Sequence, residues 1–113
     1  MHLDHRLISE RYFFPRRAPL ASPFVVSVDG AELHCWYRPA PPGGDTLLHF
    51  HGNGEVVADY TDDLAPAFVD AGLGVLLAEY RGYGGSTGSP AMVTMLADAL
   101  AVLDQSGLDP AHT

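Results

Sequence analysis

The run Leu73-Gly-Val-Leu-Leu-Ala-Glu-Tyr80 constrains this chain more than any other feature. It is nearly continuous in apolar residues and has strand length, the pattern of a parallel strand buried on both faces. Such a strand needs helices above and below it, and parallel neighbours reached through crossovers. Upstream, TLLHFHG (residues 46–52) is a second short apolar run suited to a buried strand. Between the two, EVVADYTDDLAPAFVDAG places Tyr60, Leu64 and Phe68 four apart on one helical face, with Gly72 as a stop. Pro66 removes a backbone donor and crowds the preceding turn, so a kink or two short helices are expected there. Strand, helix and strand at this spacing predict a right-handed βαβ crossover in a mostly parallel sheet.

The rest of the chain arranges itself around that unit. FVVSVDGAELHCWYRP (residues 24–39) has two β-rich runs flanking Asp29-Gly30. Asp-Gly at that position signals a hairpin, because a type I′ turn needs positive φ at both central positions. APPGGD then breaks the chain before residue 46. Residues 1–23 read as an irregular lead-in, with Arg16-Arg17 as a solvated surface pair. After a glycine-rich loop, Ser89-Pro90 is expected to cap a helix and open it. Met92, Met95, Leu96, Ala99, Leu100 and Leu103 follow helical spacing, and Gly107 ends it. That helix has no strand to return to.

Bulk properties exclude several classes. With 113 residues and 47% hydrophobic content, the chain is one small globular domain or a piece of a larger one. A net charge of -8 with no lysine argues against nucleic acid as a partner, since polyanion binding needs clustered positive charge. Cys35 is the lone cysteine, so no intrachain disulfide is available, and its strand setting suggests a buried inert thiol. No run reaches membrane-span length, and the first 17 residues lack an apolar signal core. A cytoplasmic protein with no membrane partner is expected.

Three chemical motifs compete. Gly84-Gly85-Ser86-Thr87-Gly88 fits G-x-S-x-G, the nucleophile elbow of serine hydrolases. An elbow needs the serine on a sharp turn between strand and helix, and Ser86 sits mid-loop; downstream, Asp98 and Asp104 belong to the helix and the one histidine, His112, lies at the chain's end. Ser86 is therefore not read as the nucleophile. The same glycines miss the dinucleotide fingerprint, a Walker lysine is impossible, and no cofactor is expected. His49 and His51 alternate on one strand face and could ligate zinc, so a metal-dependent enzyme at that pair is an alternative. His51-Gly52-Asn53-Gly54 offers backbone chemistry instead. A strand entering a glycine-containing turn before a helix presents N–H groups that can stabilise an acyl oxyanion.

HGNG (residues 51–54) and EYRGYGGSTGSP (residues 79–90), about 30 residues apart, together resemble the N-terminal half of α/β-hydrolases of the serine aminopeptidase-like and BEM46-like group. The resemblance covers residues 24–113, which it makes a partial α/β-hydrolase domain. It implies an antiparallel hairpin leading into a parallel sheet with a βαβ crossover, truncated before the nucleophile-elbow strand. It implies that Asn53 gives one oxyanion-hole N–H within a turn of His51, Gly52 and Gly54. Arg81, Gly82, Tyr83 and Gly84 become a structural loop beside the active-site mouth, and Ser86 falls on a loop serine. Glu79 stands where the family usually has Asp, read as a change in loop support.

The family hydrolyses esters, amides or thioesters through an acyl-enzyme. This chain stops at Thr113, about where the family's fifth strand begins, so nucleophile, acid and catalytic histidine are expected to be absent and the chain inactive alone. In the family's strand order, the strand at residues 46–50 lies between the residue 74–78 strand and that fifth strand. Its far edge would be unpaired, open to association with another chain. The alternative is a small non-catalytic binding module that uses this edge. A small acyl substrate would be a partner only if the missing half were supplied.

Overall fold

The structure is a computed structural model and describes residues 13–113. Its elements are β1 (Phe24–Val28), β2 (Ala31–Arg38), β3 (Thr46–Phe50), a 3-10 turn (Val57–Tyr60), α1 (Leu64–Asp70), β4 (Gly74–Ala78), α2 (Met92–Ser106) and a closing 3-10 turn (Pro110–His112). Together the strands form one sheet in the order β1-β2-β4-β3. The hairpin is antiparallel, β2 runs antiparallel to β4, and β3 runs parallel to β4 with Leu48 opposite Leu76. This is the α/β architecture expected, with β3 on the rim.

β4 is the middle of the molecule. All five of its residues are buried, and the alternation of side chains divides them between two cores. Leu76 and Ala78 join Val26, Leu33, Cys35 and Val102 on the α2 side. Val75 and Leu77 join Val57 and Ala65 on the α1 side. Each fully buried leucine contributes about 1.5–3 kcal/mol of hydrophobic stabilisation.

Three local details differ from the sequence expectation. The hairpin loop has two residues, with Val28 opposite Ala31, but only Gly30 has positive φ, at 79°. No non-glycine residue described has positive φ, so Asp29 stays in an ordinary region and the turn is not type I′. At α2, the cap position is Ala91, extended and without a side-chain cap, so the helix opens two residues after Ser89-Pro90. Pro90 packs on the glycine loop instead: a Cβ on Gly82 would meet its Cδ at 2.8 Å. The C-terminus is as expected, with Gly107 left-handed at φ 69°.

The third difference concerns the face of α2. Its sheet side carries Asp98 and Val102 and packs mainly on β1, where the Gln105 amide accepts from and donates to the Ser27 backbone at 2.9 and 2.6 Å. The stripe that gave the helical period points outward, with Leu96 71% and Leu100 56% exposed. Periodicity identifies a helix; it does not say which neighbour covers it. Pro66 falls in the first turn of α1, where its missing N–H would have had no intrahelical partner. The segment forms two short helical pieces, but they part at residues 61–63, before Pro66.

Residues 13–23 are irregular but held down. Phe13 is buried against Val56 and Tyr83, and Arg17 forms a β-bridge to Gly84. Arg16 and Arg17 are not a free solvated pair, because both guanidinium groups cross to the loops described below.

Leu76→Ala is expected to destabilise the chain by about 2–5 kcal/mol, the cost of a core truncation. A urea midpoint lowered with unchanged slope would show it.

Candidate functional site

The parallel register of β3 and β4 sets Phe50 opposite Ala78, so the residues that follow, His51 and Glu79, emerge side by side at the carboxyl ends of the strands. In open α/β sheets that end is where ligands bind. Both residues are 3% exposed. The His51 Nε2 meets the Glu79 Oε1, and its Nδ1 lies 2.8 Å from the Gly52 carbonyl. Glu79 also accepts the Val57 N–H through Oε2 at 2.8 Å and the Tyr80 N–H through Oε1 at 2.9 Å. Tyr80 and Tyr83 rings stack near the imidazole, at 4.3 and 5.7 Å, and the Tyr80 hydroxyl donates to the His51 carbonyl. Burial works against a charged imidazole here, but the Glu79 carboxylate, the Gly52 carbonyl and the charges of Glu79 and Glu55 together raise the His51 pKa above its ordinary value.

The turn that follows is held by a second carboxylate. The Gly52 N–H donates to Glu55 Oε1 at 2.5 Å, the Glu55 N–H returns to the Gly52 carbonyl at 3.2 Å, and the Tyr60 hydroxyl donates to Glu55 Oε2 at 2.5 Å. The bonds from Tyr60 and Gly52 lower the Glu55 pKa, while the Tyr60 phenol is pushed up to about 12 by Glu55. Asn53 is exposed at its backbone turn, and its Oδ1 accepts from the Tyr83 hydroxyl at 2.6 Å and the Phe14 N–H at 2.9 Å. Gly54 has φ 86° and open space around its Cα. Its carbonyl accepts from Arg16 at 3.1 Å, and Arg16 also pairs with Asp59 at 2.8 Å. Asp59 in turn accepts the Val56 N–H at 3.1 Å, starting the 3-10 turn.

The loop after β4 forms the wall beside this turn. Arg81 makes a two-pronged ion pair with Asp98 of α2, both contacts at 2.9 Å. Tyr83 is buried, and Gly84 has φ 59° in a place where a Cβ would lie 2.6 Å from Glu79 Oε2. Glycine is needed there for both reasons. Ser86 is fully buried: its Oγ accepts the His34 N–H at 2.9 Å, and its carbonyl accepts from Arg17 at 2.7 Å. Thr87 stitches the same loop to β2 through Glu32, its Oγ1 accepting at 2.8 Å. The G-x-S-x-G pattern thus falls on residues that fasten a loop to β2.

His49 and His51 part company. His49 lies edge-on to Tyr60 at 4.9 Å on the α1 side, with its Nε2 unpartnered, whereas both nitrogens of His51 face acceptors. An imidazole so engaged has no lone pair to give a metal. Among the described residues, no three His, Cys, Asp or Glu side chains gather as a ligand set. Cys35 is fully buried below the site; burial pushes its thiol up to about 11, and its Sγ accepts the Glu79 N–H at 3.5 Å. The sequence marks Tyr60 only as a helix-face residue and Arg16 only as a surface residue, and Glu55 goes unremarked there. Glu55, three residues after Gly52, had a capping-box spacing that could have flagged it.

No protein-family model matches the chain. An uncharacterised protein of Mycobacterium tuberculosis is 36% identical over 116 residues, covering 88% of this chain and 41% of that protein. The α/β-hydrolase domain-containing protein WAV2 of Arabidopsis thaliana is 34% identical over 83 residues, 72% of this chain and 27% of its own length. The crystal structure of epoxide hydrolase A from Mycobacterium thermoresistibile superposes with a TM-score of 0.59 at 30% identity, covering 76% of this chain and 28% of that one. The chain is thus related to the α/β-hydrolase superfamily, and it spans about two fifths or less of the length of these relatives. Among the described residues, no helix is long and apolar enough to cross a membrane.

The raised His51 pKa makes a pH prediction. A group whose folded pKa exceeds its unfolded value, about 6.5 for histidine, stabilises fully below that value and loses the contribution as pH rises through the folded pKa. Glu55 and Asp59, with lowered pKa values, act in the opposite sense and only at acid pH, below 4.5 and 3.8 respectively. Thermal midpoints should therefore fall as pH rises from about 6.5. In His51→Gln the midpoint should lose that slope.

Proposed function

We propose that this chain carries the oxyanion-hole side of a serine-hydrolase site of the α/β-hydrolase fold, acting on an ester, amide or thioester. What supports the reading is the 51–54 turn at the carboxyl end of β3, fastened to the loop after β4 through His51 and Glu79. In this reading the Asn53 N–H is one donor to the oxyanion, with His51, Gly52 and Gly54 shaping the turn. Arg81, Gly82, Tyr83 and Gly84 are the supporting wall. Acyl transfer also needs a nucleophile and its base. Among the described residues no serine hydroxyl hydrogen-bonds a histidine ring, and the Ser86 Oγ is buried and occupied by a backbone donor. We therefore assign nucleophile, acid and catalytic histidine to polypeptide other than these residues, and read the 113-residue chain as inactive alone.

The purified chain should neither hydrolyse p-nitrophenyl acetate above background nor react with a fluorophosphonate serine probe. Exchanged for the matching segment of the Mycobacterium tuberculosis relative, it should support labelling of that protein. In such a chimera Asn53→Pro, which deletes the N–H, should lower kcat by about 10²–10³-fold, while Asn53→Ala keeps the donor and costs far less. Labelling of the isolated chain at Ser86 would overturn the assignment.

The free rim supports a second proposal, a non-catalytic role in which another chain pairs along β3. Among the described strands β3 pairs with β4 alone, Phe50 and Leu96 line one groove, and both are exposed, as is Leu100. Sedimentation should then show concentration-dependent association, reversed by Leu96→Glu with Leu100→Glu. These exposed changes should alter stability by no more than about 0.5 kcal/mol each. A wild-type chain that stays monomeric at high concentration would count against it.

A further inference from the structure

We propose that Glu79 is a positioning residue that keeps His51 as a buried imidazolium, and that this ion pair aims the Asn53 N–H. The proposal rests on the oxyanion reading of the turn and adds the residues that hold the donor in place. His51 Nδ1 faces a carbonyl, which only accepts, and Nε2 faces Glu79. Glu79 already receives two backbone N–H groups, from Val57 at Oε2 and from Tyr80 at Oε1, so both of its oxygens act as acceptors. Two acceptors on one buried ring require two N–H groups, and only the imidazolium has both. A neutral ring would set a lone pair against an oxygen acceptor at a buried position.

The same bonds fix a peptide plane. The Gly52 carbonyl is gripped from two sides, by His51 Nδ1 at 2.8 Å and by the Glu55 N–H at 3.2 Å. The Gly52–Asn53 peptide is planar and trans, as no described peptide bond is cis, so its N–H points opposite to its carbonyl. Pinning one atom therefore directs the other. Glu79 also holds the far end of the turn through the Val57 N–H, so a single carboxylate sets both ends of residues 51–57. Among the described residues, the charged and titratable groups around His51 are Glu79 and the Tyr80 and Tyr83 rings from the loop after β4, and Glu55 and Asp59 from the turn. Arg16, the nearby cation of the N-terminal segment, is engaged by Asp59.

Nitrogen NMR of the histidine rings in the labelled full chain tests this without any catalytic assay. At about pH 7.5, one unit above the ordinary histidine value, His51 should show both ring nitrogens protonated. Glu79→Gln should give a neutral ring at that pH, and Glu79→Asp should restore the imidazolium. Amide exchange at Asn53, corrected for intrinsic rate, should speed up about tenfold in Glu79→Gln. If Glu79→Gln does not fold, the wild-type titration serves: Asn53 protection should fall as the His51 signals turn neutral. A neutral His51 in the wild type, or Asn53 exchange indifferent to the His51 charge, would overturn the clamp. An imidazolium found intact while the chimera gains nothing from the Asn53 N–H would instead remove the oxyanion reading and leave the clamp standing.

Discussion

The parallel pairing of β3 with β4 is the constraint on which the rest of the molecule depends. Its register sets Phe50 against Ala78, so the two strands end level and release their loops at one place. A shift of one residue would turn His51 and Glu79 to opposite faces, because side chains alternate along a strand. The register is in turn enforced by burial. Val75 and Leu77 fill one core and Leu76 and Ala78 the other, so β4 has no polar face on which it could slip. Hydrophobic patterning thus decides where two polar motifs meet, although neither motif contributes to that patterning.

Once the loops meet, their polar groups satisfy one another. Glu79 serves His51, Val57 and Tyr80; Glu55 serves Gly52 and Tyr60; Asn53 joins Tyr83 to Phe14. The residue 13–17 segment then crosses both loops, bonding to Asn53, Gly54, Asp59, Gly84 and Ser86. Irregular backbone near a core is tolerated only when its donors and acceptors are paired. That requirement accounts for the density of side-chain bonds around the turn better than any single contact does.

The sequence made the strands, both helices and the pairing of HGNG with YRGYG legible, because each depends on local pattern or on a short motif. The family relationship follows from the same motifs and is shown by the relatives. What stayed hidden depended on contacts between distant residues. Ser89-Pro90 has the chemistry of a cap, yet Pro90 is drawn against Gly82 and the helix opens later. The leucine stripe of α2 gives a clear period while facing away from this sheet. Arg16 and Arg17 look solvated in the sequence because their partners, Asp59 and Ser86, lie 43 and 69 residues away along the chain. For the turn itself, the residue types were readable and the bonds that aim its peptide planes were not.

The choice of a charged pair at the centre of the site calls for a physical reason, since burying ions costs several kcal/mol each and the pairing often only recovers the loss. Two well-packed apolar residues could fill the same volume at no such cost. They could not hold a peptide plane. A carboxylate with one histidine and two backbone donors fixes direction as well as distance, and removing either partner would leave the other charge buried and unpaired. Glu79, longer by a methylene than aspartate, reaches Val57 and His51 together while Gly84 leaves room for its Oε2. Gly84, required also by its left-handed φ, leaves the space that the longer Glu79 side chain occupies, so the orientation of the turn draws on both residues.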